Sequence, residues 1–319
     1  MTVPHSSSSS LKDGSALVAV FWIMSILSLA VFTSVRLLYY ELDLVTAQVH
    51  GARARHLAEM GIAISANPVV EAGDPVLHWE FEGGREGFDA QIRSEAGRFN
   101  INYLLMKVPG GVARDKPLLR LIFEEWGADI EEAQEVVDAL VDWTDGDDFT
   151  ELNGAEFAHY EELGYLNRPY NRPFYSLDEM RLVRGMDFIE ALNPNWRDWF
   201  TIWSTGPLDL NEADPELLAI AADSSIEAAI DLQNMVFGPD LLRDTEDDLP
   251  FQAVQPALDL LGTPSIQREL VEPRLTVNDP TTRLESVGWS GDIKRRIILV
   301  LRNRTGRPAI LERKEEVVP

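Results

Sequence analysis

The chain has 319 residues, 53 Asp and Glu against 28 Lys and Arg, a net charge of −25, and no Cys. That charge opposes nucleic-acid binding, which needs a basic footprint, and the missing Cys excludes disulfides and thiolate metal sites. Any metal must be held by oxygen or imidazole, and the excess of carboxylates over five His favours hard cations such as calcium.

The first 14 residues are polar, carry a serine tract and Lys12, and end in Asp13-Gly14. From Ser15 to Val35 no residue is charged and most are apolar. As a helix this run spans about 30 Å, enough to cross a bilayer core. An ordinary signal peptide has a shorter apolar stretch with a small-residue cleavage site behind it; here the small residue placed for processing, Gly14, stands in front. Beyond Arg36 the helix is predicted to continue to about Ser65, with Leu38, Leu42, Val45, Val49 and Ala52 on one face and Glu41, Asp43, Arg53 and Arg55 off it. Asn67-Pro68 ends it. The first half of such a helix sits in lipid and the second half backs a folded domain.

Strands are predicted next, at Val76 to Phe81 and Phe88 to Arg93 around a Glu82-Gly83-Gly84-Arg85 turn, then at Arg98 to Asn102. More strands close the chain: Arg274 to Val277, Arg283 to Val287 and Ile293 to Leu301. Between them lies a helical block from about Lys116 to Arg268. It includes helices at Pro117 to Trp126 and Glu131 to Trp143, a capping box at Ser176 to Glu179 opening a helix over Met180 to Val183, and an Asp214-Pro215 helix start. Two sets of strands separated by helices imply a small sheet with a domain inserted into it, an α+β arrangement.

One loop looks like chemistry. Asp142, Asp145, Asp147 and Asp148 crowd four carboxylates that repel each other unless a cation or solvent compensates. Asp145, Asp147 and Glu156 stand at the first, third and twelfth positions of an EF-hand loop. The match then fails, because Phe149 and Thr150 occupy the positions of a ligand and the turn glycine. A second acidic run, Asp244 to Asp248, reads as a solvated loop. The five His have no metal-ligand spacing, and there is no nucleophile elbow or phosphate-binding glycine loop. Trp196, Trp199 and Trp203 fall close together beside Phe200 and read either as core or as an exposed protein contact.

A short polar leader ending at Gly14, followed by a retained membrane helix beginning at Ser15, resembles a type IV prepilin leader. Ala19 stands at the fifth mature position, where pilin-like proteins typically carry Glu. One subfamily regularly lacks that Glu: protein K, the largest minor pseudopilin of type II secretion. Gly97 to Asn102, Asp142 to Asp147, Asn153 to Glu156, Ser176 to Met186 and Thr201 to Ala213 resemble protein K stretches in the same order. The resemblance implies a pilin-like long N-terminal helix on a small antiparallel sheet, with a large inserted α-helical domain. The expected divisions are a leader (1–14), a transmembrane helix half (15–38), a first pilin-like part (39–110), the insertion (111–270), C-terminal sheet strands (271–305) and a tail (306–319).

The same resemblance implies cleavage by a prepilin peptidase between Gly14 and Ser15, an inner-membrane anchor with a periplasmic domain, and no enzymatic activity. The implied partners are minor pseudopilins I and J, the major pseudopilin and the inner-membrane secretion platform. Some family members bind calcium in the insertion, which makes Asp145, Asp147 and Glu156 candidate ligands. Ala19 suits a filament-tip subunit: the pilin Glu neutralises the terminal amine of the subunit ahead, and a subunit with none ahead would bury an unpaired carboxylate at a cost.

The alternative is a membrane-anchored helix-hairpin-helix protein for DNA binding or uptake, since Leu208-Asp209-Leu210-Asn211-Glu212-Ala213 resembles the start of such units. Those units need a hairpin glycine, and this chain offers Ala221-Ala222-Asp223-Ser224.

Overall fold

The computed structural model describes residues 10–81, 83–107 and 114–318. Helix α1 runs unbroken over Ser10–Ser65, 56 residues and about 84 Å. Among the described residues it is the one helix long and apolar enough to cross a membrane. The helix has two regimes. From Ala16 to Val49 its apolar side chains are bare; Leu38, Leu42, Val45 and Val49 are each more than half exposed. From Gly51 onward a stripe of Gly51, Ala54, Ala58, Gly61 and Ser65, spaced by three and four residues, is buried. The stripe predicted at Leu38 to Ala52 is therefore not what faces the domain, and Ala52 itself is exposed.

That small-residue stripe lies across one antiparallel sheet of five strands, in the order β1-β2-β7-β8-β9. Its members are β1 (His78–Glu80), β2 (Glu86–Ser94), β7 (Thr281–Ser290), β8 (Ile293–Arg302) and β9 (Ala309–Val318). Strand β7 meets α1 with small residues of its own: Ser286, Gly288 and Ser290 are buried at alternate positions, with Leu284 completing the row. Small on small lets the two backbones approach closely. His50 Nδ1 lies 2.7 Å from Ser290 Oγ at the upper end of the contact. Phe88, Ala90, Ile92, Leu284, Ile297, Leu299 and Leu301 fill the core between sheet and helix. Residues expected to be a tail form β9 instead, paired along β8 from Lys294↔Val318 to Arg302↔Ala309.

The chain leaves this sheet after β2 and returns to it at β7. Between them stand β3 (Phe99–Asn100), α2 (Ile101–Leu105), α3 (Lys116–Glu125), α4 (Ile130–Thr144), α5 (Phe157–Glu162), α6 (Leu177–Met180) and α7 (Met186–Leu192). They are followed by β4 (Phe200–Thr201), β5 (Leu208–Asp209), α8 (Pro215–Ala222), α9 (Ile226–Val236), α10 (Val254–Leu260), α11 (Arg268–Val271) and β6 (Leu275–Thr276). A separate buried cluster, including Leu118, Ile122, Phe123, Val137, Leu140, Trp143, Trp196 and Phe200, forms the core of this insertion.

Several local expectations are corrected here. The strand predicted over Arg98 to Asn102 shrinks to Phe99–Asn100, because the Asn100 side chain accepts from Tyr103 N at 3.1 Å and starts α2. Strand β3 pairs in parallel with β4, and β6 in parallel with β5, so neither joins the main sheet. No reciprocal capping box forms at Ser176; the Glu179 carboxylate is taken by Trp143 Nε1 at 3.0 Å and by Arg172 Nη1. The helix there is Leu177–Met180, not Met180 to Val183. A true box stands at the head of α4, where Asp129 and Glu132 exchange bonds.

The insertion is tied to the sheet by polar contacts along a seam. Trp203 Nε1 donates to Glu312 Oε2 of β9 at 2.9 Å, Arg302 donates to the Trp203 carbonyl at 2.8 Å, and Thr205 N donates to Asp279 at 2.8 Å. At its neck, Arg274 and Asp115 form a buried two-point ion pair.

Candidate metal centre and assembly face

Helix α4 presents Asp138 and Asp142 one turn apart, and its end delivers Asp145 as C-cap. All three are buried. Asp142 accepts from Glu151 N at 3.0 Å, folding the following loop back over the helix. That loop passes so close that a Cβ at Gly154 would lie 1.9 Å from Asp142 Oδ2. Asp138 accepts from Asn153 N at 3.3 Å and pairs with Lys116 Nζ at 2.6 Å. The loop is thus pinned by carboxylates that accept backbone donors.

The three candidate ligands do not share one partner. Asp145 Oδ2 and Asp147 Oδ2 each lie 2.8 Å from Lys107 Nζ, so a lysine of the chain is the cation between them. Hydrogen bonds to Asp145 and then Asp147 hold that ammonium well above the usual lysine range. Glu156 stands apart. It is buried, and among the described residues neither carboxylate oxygen has a hydrogen-bond partner. Burial first, then the charges of Asp142 and Asp145, push Glu156 up to about 7. Burial, with the charge of Asp145 adding, takes Asp142 to about 6 despite its backbone bonds.

Among the described residues no group of three or more His, Asp or Glu has the geometry of a metal site. The donors nonetheless suit a hard cation: oxygens only, crowded, with one bare buried carboxylate. Lys107 and Lys116 were not singled out in sequence, because lysines distant from the loop carry no local signal. The second acidic run turns on itself: Thr245 Oγ1 donates to Asp247 Oδ1 at 2.8 Å, and Asp244 N donates to Asp248 at 2.8 Å.

The processing pair Gly14-Ser15 falls inside α1, while residues 1–9 of the leader lie outside the described residues. Ala19 is exposed on the bare part of the helix. Of the tryptophan group, Trp196 is core, Trp203 sits in the seam and Trp199 is half-buried. The would-be DNA hairpin is α8 and α9, joined through Asp223, which takes the left-handed conformation (φ 50°).

A membrane-length helix packed by its second half across an antiparallel sheet, with a helical domain inserted between sheet strands, is a pilin-like fold. Residues 97–195, the first part of the insertion, match the family model for "Type II secretion system (T2SS), protein K". Over those residues the chain is similar to that family. The type II secretion system protein K of Pectobacterium carotovorum subsp. carotovorum is 28% identical over 118 residues, 35% of each chain, so the match spans about a third of that relative. One chain of the solved GspK-GspI-GspJ complex from the type 2 secretion system of enterotoxigenic Escherichia coli superposes with a TM-score of 0.59. The superposition covers 87% of this chain and 98% of that one, at 14% identity, which is a likeness of fold.

Proposed function

We propose that this chain is a minor pseudopilin of a type II secretion pseudopilus, placed at the filament tip and helping to initiate its assembly for export of folded periplasmic proteins. Its role is structural, not catalytic. It is held in the inner membrane by α1, with both folded units in the periplasm, and it binds pseudopilins I and J. The major pseudopilin, the prepilin peptidase and the inner-membrane platform are its further partners.

The observation that carries the reading is the division of α1. Its C-terminal part is covered by the sheet, whereas Leu38, Leu42, Val45 and Val49 are bare just beyond the apolar span. An apolar stripe outside both lipid and domain core has to be buried by another chain, and in a pilus the neighbours are equivalent helices. Ala19 lies on the same bare helix and leaves no carboxylate to bury where no subunit stands ahead. A DNA-uptake role fits less well, since Asp223 stands at the hairpin turn where a phosphate contact needs glycine.

Cleavage between Gly14 and Ser15 is the first test. Co-expression with a prepilin peptidase should give a mature N-terminus at Ser15; an intact Met1 end, or a cut behind Val35, would remove the pilin reading.

Calcium belongs to the same reading as a proposal. Asp145, Asp147 and Glu156 would hold it, with the Lys107 ammonium displaced to solvent, and the ion would neutralise Glu156, which burial now leaves uncompensated. Added calcium should then raise the melting temperature of the chelated protein, because a ligand bound by the folded state alone stabilises it. Lys107→Met should enlarge that rise, since the competing cation is gone. No calorimetric heat at millimolar calcium, in parent and variant alike, would leave Lys107 as the cluster's resident cation.

A further inference from the structure

The insertion carries an open groove of about 600 Å³ away from both the acidic loop and the bare part of α1. Such a volume is within the range of about 300–1,000 Å³ typical of ligand and anchor pockets. Helices α3 and α8, the turn between α8 and α9, and Trp199 wall it. Its floor is aromatic: the Trp126 and Trp199 rings meet edge to face, with centroids 5.2 Å apart at 90°. Leu121 and Ile226 add apolar surface, 40% and 37% exposed.

The rim is anionic. Glu125, Glu216 and Asp223 surround the aromatic floor. Among the described residues none of the three forms an ion pair, whereas neighbouring Glu124 pairs with Arg120 at 2.8 Å. Among the described residues the Asp223 carboxylate accepts from the Gln267 amide alone, at 2.8 Å. Three solvent-exposed carboxylates without a cationic partner around a half-buried aromatic floor make the groove complementary to a segment that combines positive charge with apolar side chains.

We propose that this groove docks a basic polypeptide segment of another protein, an apolar side chain lying on Trp126, Trp199 and Leu121 and flanking Lys or Arg side chains meeting Glu125, Glu216 and Asp223. The hairpin that helix-hairpin-helix units aim at phosphate is here one wall of a cation-seeking groove. Its turn carries a carboxylate, and Ser224 N is spent on Ala219 O at 2.9 Å. The proposal does not depend on the secretion role, because the groove is built from the insertion alone.

The test uses the full chain in detergent micelles, with ¹⁵N-labelled tryptophan indoles as the reporter and the peptide acetyl-Lys-Leu-Lys-Leu-Lys-amide as probe. The peptide should shift the Trp126 and Trp199 indole signals. Leu121→Arg and Glu216→Arg, both at exposed positions, should each weaken binding about tenfold or more. Glu216→Arg should also raise affinity for the Glu-Leu-Glu-Leu-Glu counterpart, a swap that loss of folding cannot produce. Unshifted indoles overturn the proposal. So does equal binding by penta-lysine, which would reduce it to bulk charge. A short DNA duplex shifting the same indoles overturns it in favour of phosphate recognition.

Discussion

Arg274→Ala should lower the unfolding free energy of the insertion by about 3–5 kcal/mol, the usual cost of orphaning one member of a buried ion pair. Arg274 Nε and Nη2 reach Asp115 Oδ2 and Oδ1 at 2.6 and 3.0 Å, and Nη1 reaches the Ala221 carbonyl at 3.4 Å. Their side chains are 7% and 9% exposed, so solvent cannot take over for the lost guanidinium. The pair also closes a long loop. Asp115 caps α3 through Leu118 N at 3.2 Å where the chain enters the helices, and Arg274 precedes β6 where it leaves them. Arg274→Ala would leave a carboxylate buried in the neck, whereas Asp115→Asn combined with Arg274→Met removes both charges and should cost less than the single change. Urea unfolding of the three proteins decides it. A midpoint for Arg274→Ala within error of the parent would mean that water reaches Asp115 and that the neck is open.

Gly288→Leu should separate α1 from the sheet. A Cβ at Gly288 would lie 2.2 Å from the Ala54 carbonyl oxygen and 2.3 Å from Ala58 N. Both are backbone atoms of a continuous helix, so no rotamer change relieves the clash and the helix has to move. Even Gly288→Ala carries an overpacking cost of about 1–3 kcal/mol. The larger side chain should also break the His50–Ser290 contact. Hydrogen exchange reads the effect regionally: residues 51–65 and strand β7 should lose protection while α3 and α4 keep theirs, since the insertion has its own core. Unchanged protection of 51–65 would show that the helix contact is not set by small residues.

Where sequence reading worked, a long regular signal carried it. The apolar run, the continuing charge pattern and Asn67-Pro68 locate α1 to its last residue, Ser65. Apolar periodicity locates α4 to within a residue at each end, Ile130–Thr144 against the expected Glu131 to Trp143. Where it failed, the deciding residues were small, polar or remote. The sheet-facing stripe of α1 is Gly, Ala and Ser, which a search for apolar periodicity passes over in favour of the leucines and valines upstream. Strand β9 reads Leu311-Glu312-Arg313-Lys314-Glu315-Glu316, charged as an edge strand is and with almost no alternation to find.

The candidate metal loop was visible as a crowd of carboxylates. Lys107, which sits between Asp145 and Asp147, was not, because only the fold brings it there. Likewise the capping box expected at Ser176 fails because Trp143 and Arg172 claim Glu179, a tertiary contact with no local trace.

As proposed, the bare half of α1 and the pilin-like sheet seat this chain in a tip complex with pseudopilins I and J. The most direct measurement of that placement is co-expression of the full chain with pseudopilins I and J and the prepilin peptidase, followed by purification in detergent and light scattering. A stoichiometric ternary complex should survive purification and should be lost when Leu42 and Val45 are both replaced by Glu, with the melting temperature of the folded domain unchanged. Recovery of this chain alone from the co-expressing cells, correctly cleaved and folded, would contradict it.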